Sequence, residues 1–144
     1  MSNAIKLDGF KQFQDKLKKL PANLRSTSDA YVQRAAQDWE GRAKRAAPVQ
    51  VGNIGGNLRG NINSEKKGEM LAEVTSGVFY SPYVEWGTGT RVKVPADLQS
   101  YAIQFKGVKK VIGRYPKPFF FVHKQAIKNE LYEKLNKLLK GEGN

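Results

Sequence analysis

The sequence predicts an α+β protein in which a long helix packs on a small antiparallel β-sheet, with amphipathic helices at the N- and C-terminal ends. Apolar residues recur at helical spacing before residue 48 and after residue 118. The glycine-containing stretch between them alternates apolar and polar residues, as strands do. Because 144 residues are enough for one hydrophobic core, we expect a single domain over 1–144.

Two helices are predicted in the first third of the chain. The first covers 8–20, with Asp8 as its N-cap and Pro21 after its end. The second covers 28–47 and is ended by Pro48. Their apolar faces are Phe10, Phe13, Leu17 and Leu20 in the first helix, and Tyr31, Val32, Ala35, Ala36, Trp39, Ala43 and Ala46 or Ala47 in the second.

A loop and strands are predicted over 49–90. Four glycines within VQVGNIGGNLRG indicate an exposed loop, and the alternation in NLRGNIN indicates a short strand. EKKGEM is typical of a hairpin tip, and LAEVTSGVFY (71–80) of the next strand.

The last third of the chain is predicted to be a basic loop, 91–117, followed by a C-terminal helix, 118–140. Pro118 suits the first turn of that helix, and Gly141 closes it. Its apolar stripe is Ile127, Leu131, Leu135, Leu138 and Leu139.

The charge distribution gives the strongest functional signal in the composition. The net charge is +12, and residues 91–118 carry seven basic side chains and one acidic one. Such a segment favours nucleic acid, anionic surfaces or acidic proteins as partners. Its cations are the candidate partner or DNA contacts, together with Phe105 and Tyr115 as possible stacking aromatics: Arg91, Lys93, Lys106, Lys109, Lys110, Arg114 and Lys117.

No residue set predicts catalysis, a metal site or a cofactor. His123 is the only histidine and has no orienting partner nearby in the sequence, and cysteine is absent. Ser81 lacks a nucleophile-elbow context, and the glycine loop 52–60 lacks a phosphate-binding ending. No apolar run is long enough to span a membrane.

Glu85 leaves two interpretations open. It could form a carboxylate pair with Glu69, Glu73 or Asp97, although no spacing ties any of them to it. The favoured alternative is structural, with Glu85 paired to Arg42 or Arg45 of the long helix.

The stretch YSPYVEWGTG is predicted to form a corner where a strand leaves the sheet. The three aromatics would anchor it on the long helix, the proline would stiffen it, and glycine would permit a sharp exit. The corner residues are Tyr80, Pro82, Tyr83, Glu85, Trp86 and Gly87.

Three motifs in order resemble one protein family. They are AAPVQVGNIGGNLRGNI (46–62), VTSGVFYSPYVEWGTG (74–89) and YPKPFFFVHKQAI (115–127). Together they resemble the neck or tail-completion proteins of long-tailed bacteriophages, also labelled minor tail or head–tail joining proteins. In that family a helix ends in Ala-Pro-Val, a strand leads to Tyr-Val-Glu-x-Gly-Thr, and a Pro-Phe-led helix closes the domain.

The resemblance implies a structural virion protein and not an enzyme. It implies a homo-oligomeric ring, six-fold or twelve-fold, between the head connector and the tail tube or terminator proteins, with DNA passing through it. The expected location is the neck or top of the tail, after synthesis in the host cytoplasm, without cofactor or membrane. The alternative function is non-specific nucleic-acid binding through the basic segment 91–117.

Overall fold

The structure, a computed structural model, describes residues 15–16, 18–49, 56–102 and 112–141. Within these ranges two strands pair antiparallel and helices lie before and after them, so the predicted α+β class is confirmed. The predicted N-terminal helix, 8–20, falls largely outside the described residues. The elements are α1 (Ala22–Ala46), α2 (Asn57–Gly60), β1 (Ile62–Gly68), β2 (Leu71–Ser76), α3 (Ser81–Trp86), α4 (Gln99–Ala102) and α5 (Lys124–Leu139), with 3₁₀ turns at Ala96–Leu98 and Phe121–His123.

Helix α1 begins earlier than predicted, at Ala22 instead of residue 28. Pro21 occupies the N-cap, and its carbonyl accepts the Arg25 N–H at 3.0 Å. The helix therefore starts directly after the proline, through a polar stretch that carries no apolar period. Four residues of the predicted apolar face are buried, and Ser28 is buried with them. The four are Val32, Ala36, Trp39 and Ala43.

The first strand of the hairpin starts later than predicted, whereas the tip lies within the predicted stretch EKKGEM. NLRG forms the short helix α2, so the strand begins only at Ile62. The tip is the Glu69–Met70 turn, where Met70 adopts φ 53° and is fully buried. Left-handed backbone is unfavourable for a non-glycine residue. It is stabilised here because the Met70 N–H donates to the Asp29 carboxylate at 2.8 Å while the side chain packs in the core.

Helix α5 packs antiparallel to α1 and covers the same core. Trp39 donates its indole N–H to the Phe120 carbonyl at 2.9 Å, and Arg42 pairs with Glu130 at 2.8 Å. Every member of the predicted stripe except Leu139, which is 38% exposed, is buried. Gly141, with φ 75°, follows the helix as predicted.

Pro118 does not lie in the first turn of α5, so that prediction is wrong. Residues 113–119 belong to neither a helix nor a strand, and α5 starts at Lys124 after a 3₁₀ turn. N–H groups of this segment donate to other elements instead of forming a helical turn. The Lys117 N–H donates to the Val84 carbonyl at 2.8 Å, and the Phe119 N–H donates to the Glu85 carboxylate.

No helix in the described ranges, α1 with its 25 residues included, has the length and apolar character needed to cross a bilayer.

Candidate interaction site at the Glu85 corner

The stretch YSPYVEWGTG contains a helix and is not a simple strand exit. Strand β2 ends at Ser76, and α3 then runs over SPYVEW, with Pro82 in its first turn. Proline suits that position because its missing N–H has no partner there in any helix. The Ser81 hydroxyl lies 2.6 Å from the Ser76 hydroxyl and is buried, so it joins the end of β2 to the start of α3.

Glu85 lies on the inner side of α3 and accepts three consecutive backbone N–H groups. One carboxylate oxygen accepts from Phe119 at 2.7 Å and from Phe120 at 3.0 Å, and the other accepts from Phe121 at 3.0 Å. The residue is only 4% exposed. The main chain of 119–121 thus forms a concave set of donors around one carboxylate, as backbone nests do around anions.

The predicted pairing of Glu85 with Arg42 or Arg45 is therefore wrong. Arg42 binds Glu130 instead, at 2.8–2.9 Å. Main-chain donors replace the cation because the segment 119–121 turns its N–H groups inward just before α5. No side-chain type in the sequence signals that orientation.

The chemical state of Glu85 is set by two opposing effects. Burial raises the pKa of its carboxyl above the ordinary 4.5, while the N–H groups of Phe119, Phe120 and Phe121 act in the opposite direction. Both oxygens are already occupied by these donors.

The carboxylates considered as partners of Glu85 each face a different cation. Glu69 lies near Arg25, Glu73 near Lys67 and Asp97 near Lys124. The arrangement therefore makes Glu85 a structural anchor between α3 and the approach to α5.

The three corner aromatics do not share one anchoring surface. Tyr80 is half-buried against the cluster that contains Trp39, as predicted. Tyr83 is 37% exposed. Trp86 is buried in a separate cluster with Leu98 and Ala102, and it is stacked on Phe121 with ring centroids 5.5 Å apart.

Gly87 is required by the close approach of a second chain segment. Its φ is 79°, and an added Cβ would lie 2.7 Å from the Arg114 carbonyl oxygen and 2.9 Å from the Pro116 nitrogen. The Thr88 N–H donates to the Arg114 carbonyl at 3.1 Å, and the Thr88 hydroxyl accepts from the Arg114 N–H at 2.8 Å. Residues 84–89 and 112–117 therefore run side by side, joined by main-chain bonds.

This pairing gathers four of the predicted contact cations: Arg91, Lys93, Arg114 and Lys117. We call them, with Tyr115, the basic ribbon. The Arg91 guanidinium lies 4.0 Å from the centroid of the Tyr115 ring, which is itself exposed. No ion pair links any of the four to an acidic side chain within the described ranges. Lys106, Lys109, Lys110 and Phe105 lie outside the described residues.

An apolar groove of about 660 Å³ lies beside the ribbon. The Trp86–Phe121 pair lines it, with Val92, Val94 and Leu98 on one side and Pro116, Pro118 and Val122 on the other. Sequence reasoning missed it because its walls come from residues that are up to 36 positions apart. The one local pattern in the sequence that points to this groove is the pair Val92 and Val94, two apolar residues that both line it.

His123 lies at the edge of α5. Burial and the guanidiniums of Arg42 and Arg45 lower its pKa below the ordinary 6.5, and its Nε2 atom has no hydrogen-bond partner among the described residues. The described ranges hold no group of three or more side chains able to ligate a metal.

The fold is α+β, and the buried carboxylate of Glu85 joins the segments that carry a basic surface beside an apolar groove. A family model described as "Bacteriophage HK97-gp10, putative tail-component" matches residues 11–87, more than half of the chain. The chain belongs to this family of bacteriophage tail components. No curated protein and no solved structure matches the chain.

The match confirms the resemblance to phage neck and tail-completion proteins and a place among the structural components of the virion tail. It covers α1, the hairpin and α3, and it ends at Gly87. The ribbon residues and α5 lie beyond it.

Proposed function

We propose that this chain is a structural protein of the phage neck, assembling as a ring that joins the head connector to the tail tube and lets DNA pass. The observation that carries the proposal is the family match over 11–87, which includes the motif from Tyr80 to Gly87. The resemblance of the later motif, 115–127, to the closing helix of neck proteins supports the same function.

The site supports an assembly role over turnover. Both carboxylate oxygens of Glu85 accept hydrogen bonds from residues 119–121, so the side chain has a structural role in holding this segment in place. The surface that this shape presents consists of cations, an exposed tyrosine and an apolar groove. Such a surface is suited to binding a macromolecule.

The charge of the chain constrains how a ring would treat DNA. Each copy carries +12, so a ring of six would bind a duplex tightly if every cation faced the channel. Genome passage needs weak contacts. Most cations should therefore face partner proteins or the exterior of the ring, with few at the DNA.

The test is a phage in which this gene is deleted and supplied in trans. The proposal expects full heads and tails that fail to join, and joining restored by the wild-type chain. Negative-stain electron microscopy counts the joined particles. Normal joining without the protein would overturn the proposal.

The alternative function is non-specific nucleic-acid binding, favoured by the Arg91–Tyr115 stack beside Lys93, Arg114 and Lys117. Exposed aromatics and cations in one strip suit base stacking and phosphate contact. Fluorescence anisotropy with a labelled duplex across a salt series separates the two functions. Nanomolar, steeply salt-dependent binding by the isolated chain would favour the alternative.

A further inference from the structure

The groove beside the basic ribbon has apolar walls but is bordered by positive charge. Lys93 lines it and is fixed there because its N–H donates to the Trp86 carbonyl at 2.9 Å. Lys117 lies between Pro116 and Pro118, which both line the groove. Lys93 is therefore part of the lining itself, and Lys117 is an exposed cation between two lining residues.

The acidic residues Glu85 and Asp97, which also line the groove, are already engaged by other groups of the chain. Asp97 lies 3.6 Å from the Lys124 ammonium, and the Glu85 carboxylate is covered by three N–H groups. Arg91, Lys93, Arg114 and Lys117 have no such acidic partner in the described part of the chain. The potential at the groove margin is therefore positive, which attracts an anionic partner.

The combination of apolar walls and unpaired cations selects among occupants. A second copy of this chain has a net charge of +12, so its surface offers a positive margin fewer anionic contacts than an acidic protein does. A DNA backbone would satisfy the cations but offers no apolar group for the space between Val94, Leu98 and Val122. A protein segment with apolar side chains flanked by aspartate or glutamate matches both features.

We propose that this groove is the docking site for an acidic segment of a different virion protein, anchored by one or two apolar side chains. The apolar anchor lies on the Trp86–Phe121 pair, and its acidic neighbours bind Lys93 and Lys117. This proposal rests on the proposed function, since it names the kind of partner that the neck protein holds.

Site-specific photo-crosslinking in purified phage particles tests the proposal. Val122→p-benzoylphenylalanine puts the probe on an exposed wall of the groove, and Leu71→p-benzoylphenylalanine puts it on the hairpin as a matched control. Mass spectrometry identifies the crosslinked peptides. The expected result is a crosslink from position 122, absent from position 71, to an acidic segment of another virion protein.

Three results would overturn the proposal: a crosslink from position 122 to a second copy, a crosslink to DNA, or no crosslink in particles that contain the chain. Absence of the chain from purified particles would instead remove the proposed function, and this proposal with it. The two failures are thus read from different signals, the crosslink and the presence of the chain.

Charge reversal tests the electrostatic half of the proposal in the same particles. Lys93→Glu with Lys117→Glu should lower the crosslink yield at position 122 by about tenfold or more, because two contacts become repulsive. Lys134→Glu with Lys140→Glu makes the same change in net charge at exposed positions of α5 and its C-cap, and it should alter the yield by less than about twofold. Equal losses in both pairs would assign the effect to net charge and overturn the proposal.

Discussion

The helix–hairpin core and the Glu85 corner are held together by different kinds of interaction. In the core, comprising α1, β1, β2 and α5, apolar side chains from periodic stripes pack against one another. In the corner, comprising 77–98 and 112–123, one carboxylate and a short ladder of main-chain bonds join segments that lack such stripes.

The difference teaches where each region is sensitive. Burial energy in the core is shared among many apolar contacts and grows with the area removed from water. The corner depends on a few directional bonds and on the close main-chain approach at Gly87, so a change of one atom there matters more than a change of volume.

The largest expected effect is in the core. Leu135 is fully buried between α1 and the hairpin turn, so Leu135→Ala should lower the free energy of unfolding by about 2–5 kcal/mol. Urea denaturation followed by circular dichroism measures the change. Leu139→Ala, at the partly exposed neighbour, should cost less than about 1 kcal/mol. Similar costs at both positions would contradict the described packing of α5.

The next effect belongs to the corner and is steric. Gly87→Ala should cost about 2–4 kcal/mol, because its Cβ meets the main chain of Arg114 and Pro116 and its φ is positive. Gly141→Ala shares the positive φ but meets nothing within 4 Å, so it should cost only about 1 kcal/mol. Thermal melts of the two variants give the comparison. If Gly87→Ala were as mild as Gly141→Ala, the two segments would not approach as closely as the structure indicates.

Glu85→Gln isolates the polar anchor of the corner. The amide keeps the shape of the side chain but can accept with only one of its two terminal atoms, which leaves a buried N–H of 119–121 unsatisfied. The expected loss is about 1–3 kcal/mol of unfolding free energy. Glu130→Gln removes a half-exposed ion pair with Arg42 and should cost less than about 1 kcal/mol. If denaturant titrations gave the same loss of unfolding free energy for both variants, the three N–H bonds to Glu85 would stabilise the fold no more than the exposed ion pair does.

The smallest effect is a difference in pH response between the two regions. Burial of Asp29 disfavours its charge, but Lys66 and the Met70 N–H more than offset this, and its pKa lies below the ordinary 3.8. Its contribution to stability is therefore present above pH 3.8 and is lost as the pH falls through the lowered folded pKa. The raised pKa of Glu85 acts oppositely, since the folded form takes up the proton first and acidification from neutral pH favours it.

Asp29→Asn should consequently flatten the loss of stability between about pH 5 and pH 2, relative to the slope of the wild-type chain. Chemical denaturation repeated across this range measures both slopes. A steeper acid loss in the Asp29 variant would contradict the lowered pKa.

Much of the core could be predicted because its signal is local. Ile127, Leu131, Leu135 and Leu138 recur at helical spacing and are all buried. The start of α1 was predicted six residues late because ANLRST has no apolar period, although nothing in it prevents a helix. The hairpin tip was placed in the right stretch, but the burial of Met70 depends on Asp29, which lies 41 positions away.

The candidate site was predictable in composition and not in geometry. The basic character of 91–117 and the importance of YSPYVEWGTG were evident from the residues. The fixing of Lys93 beside Trp86 and the joining of Arg114 to Thr88 follow from main-chain bonds, which side-chain types do not specify.

The sequence by itself determined the α+β class, the apolar faces of α1 and α5 and membership in a phage tail-component family, because these depend on residue types at short, regular spacings. Tertiary structure alone decided the partner of Glu85, the assembly of the basic ribbon and the groove beside it. The bond from Phe119 to Glu85 spans 34 positions, and it exists only because packing of α5 on α1 turns three N–H groups toward one buried carboxylate.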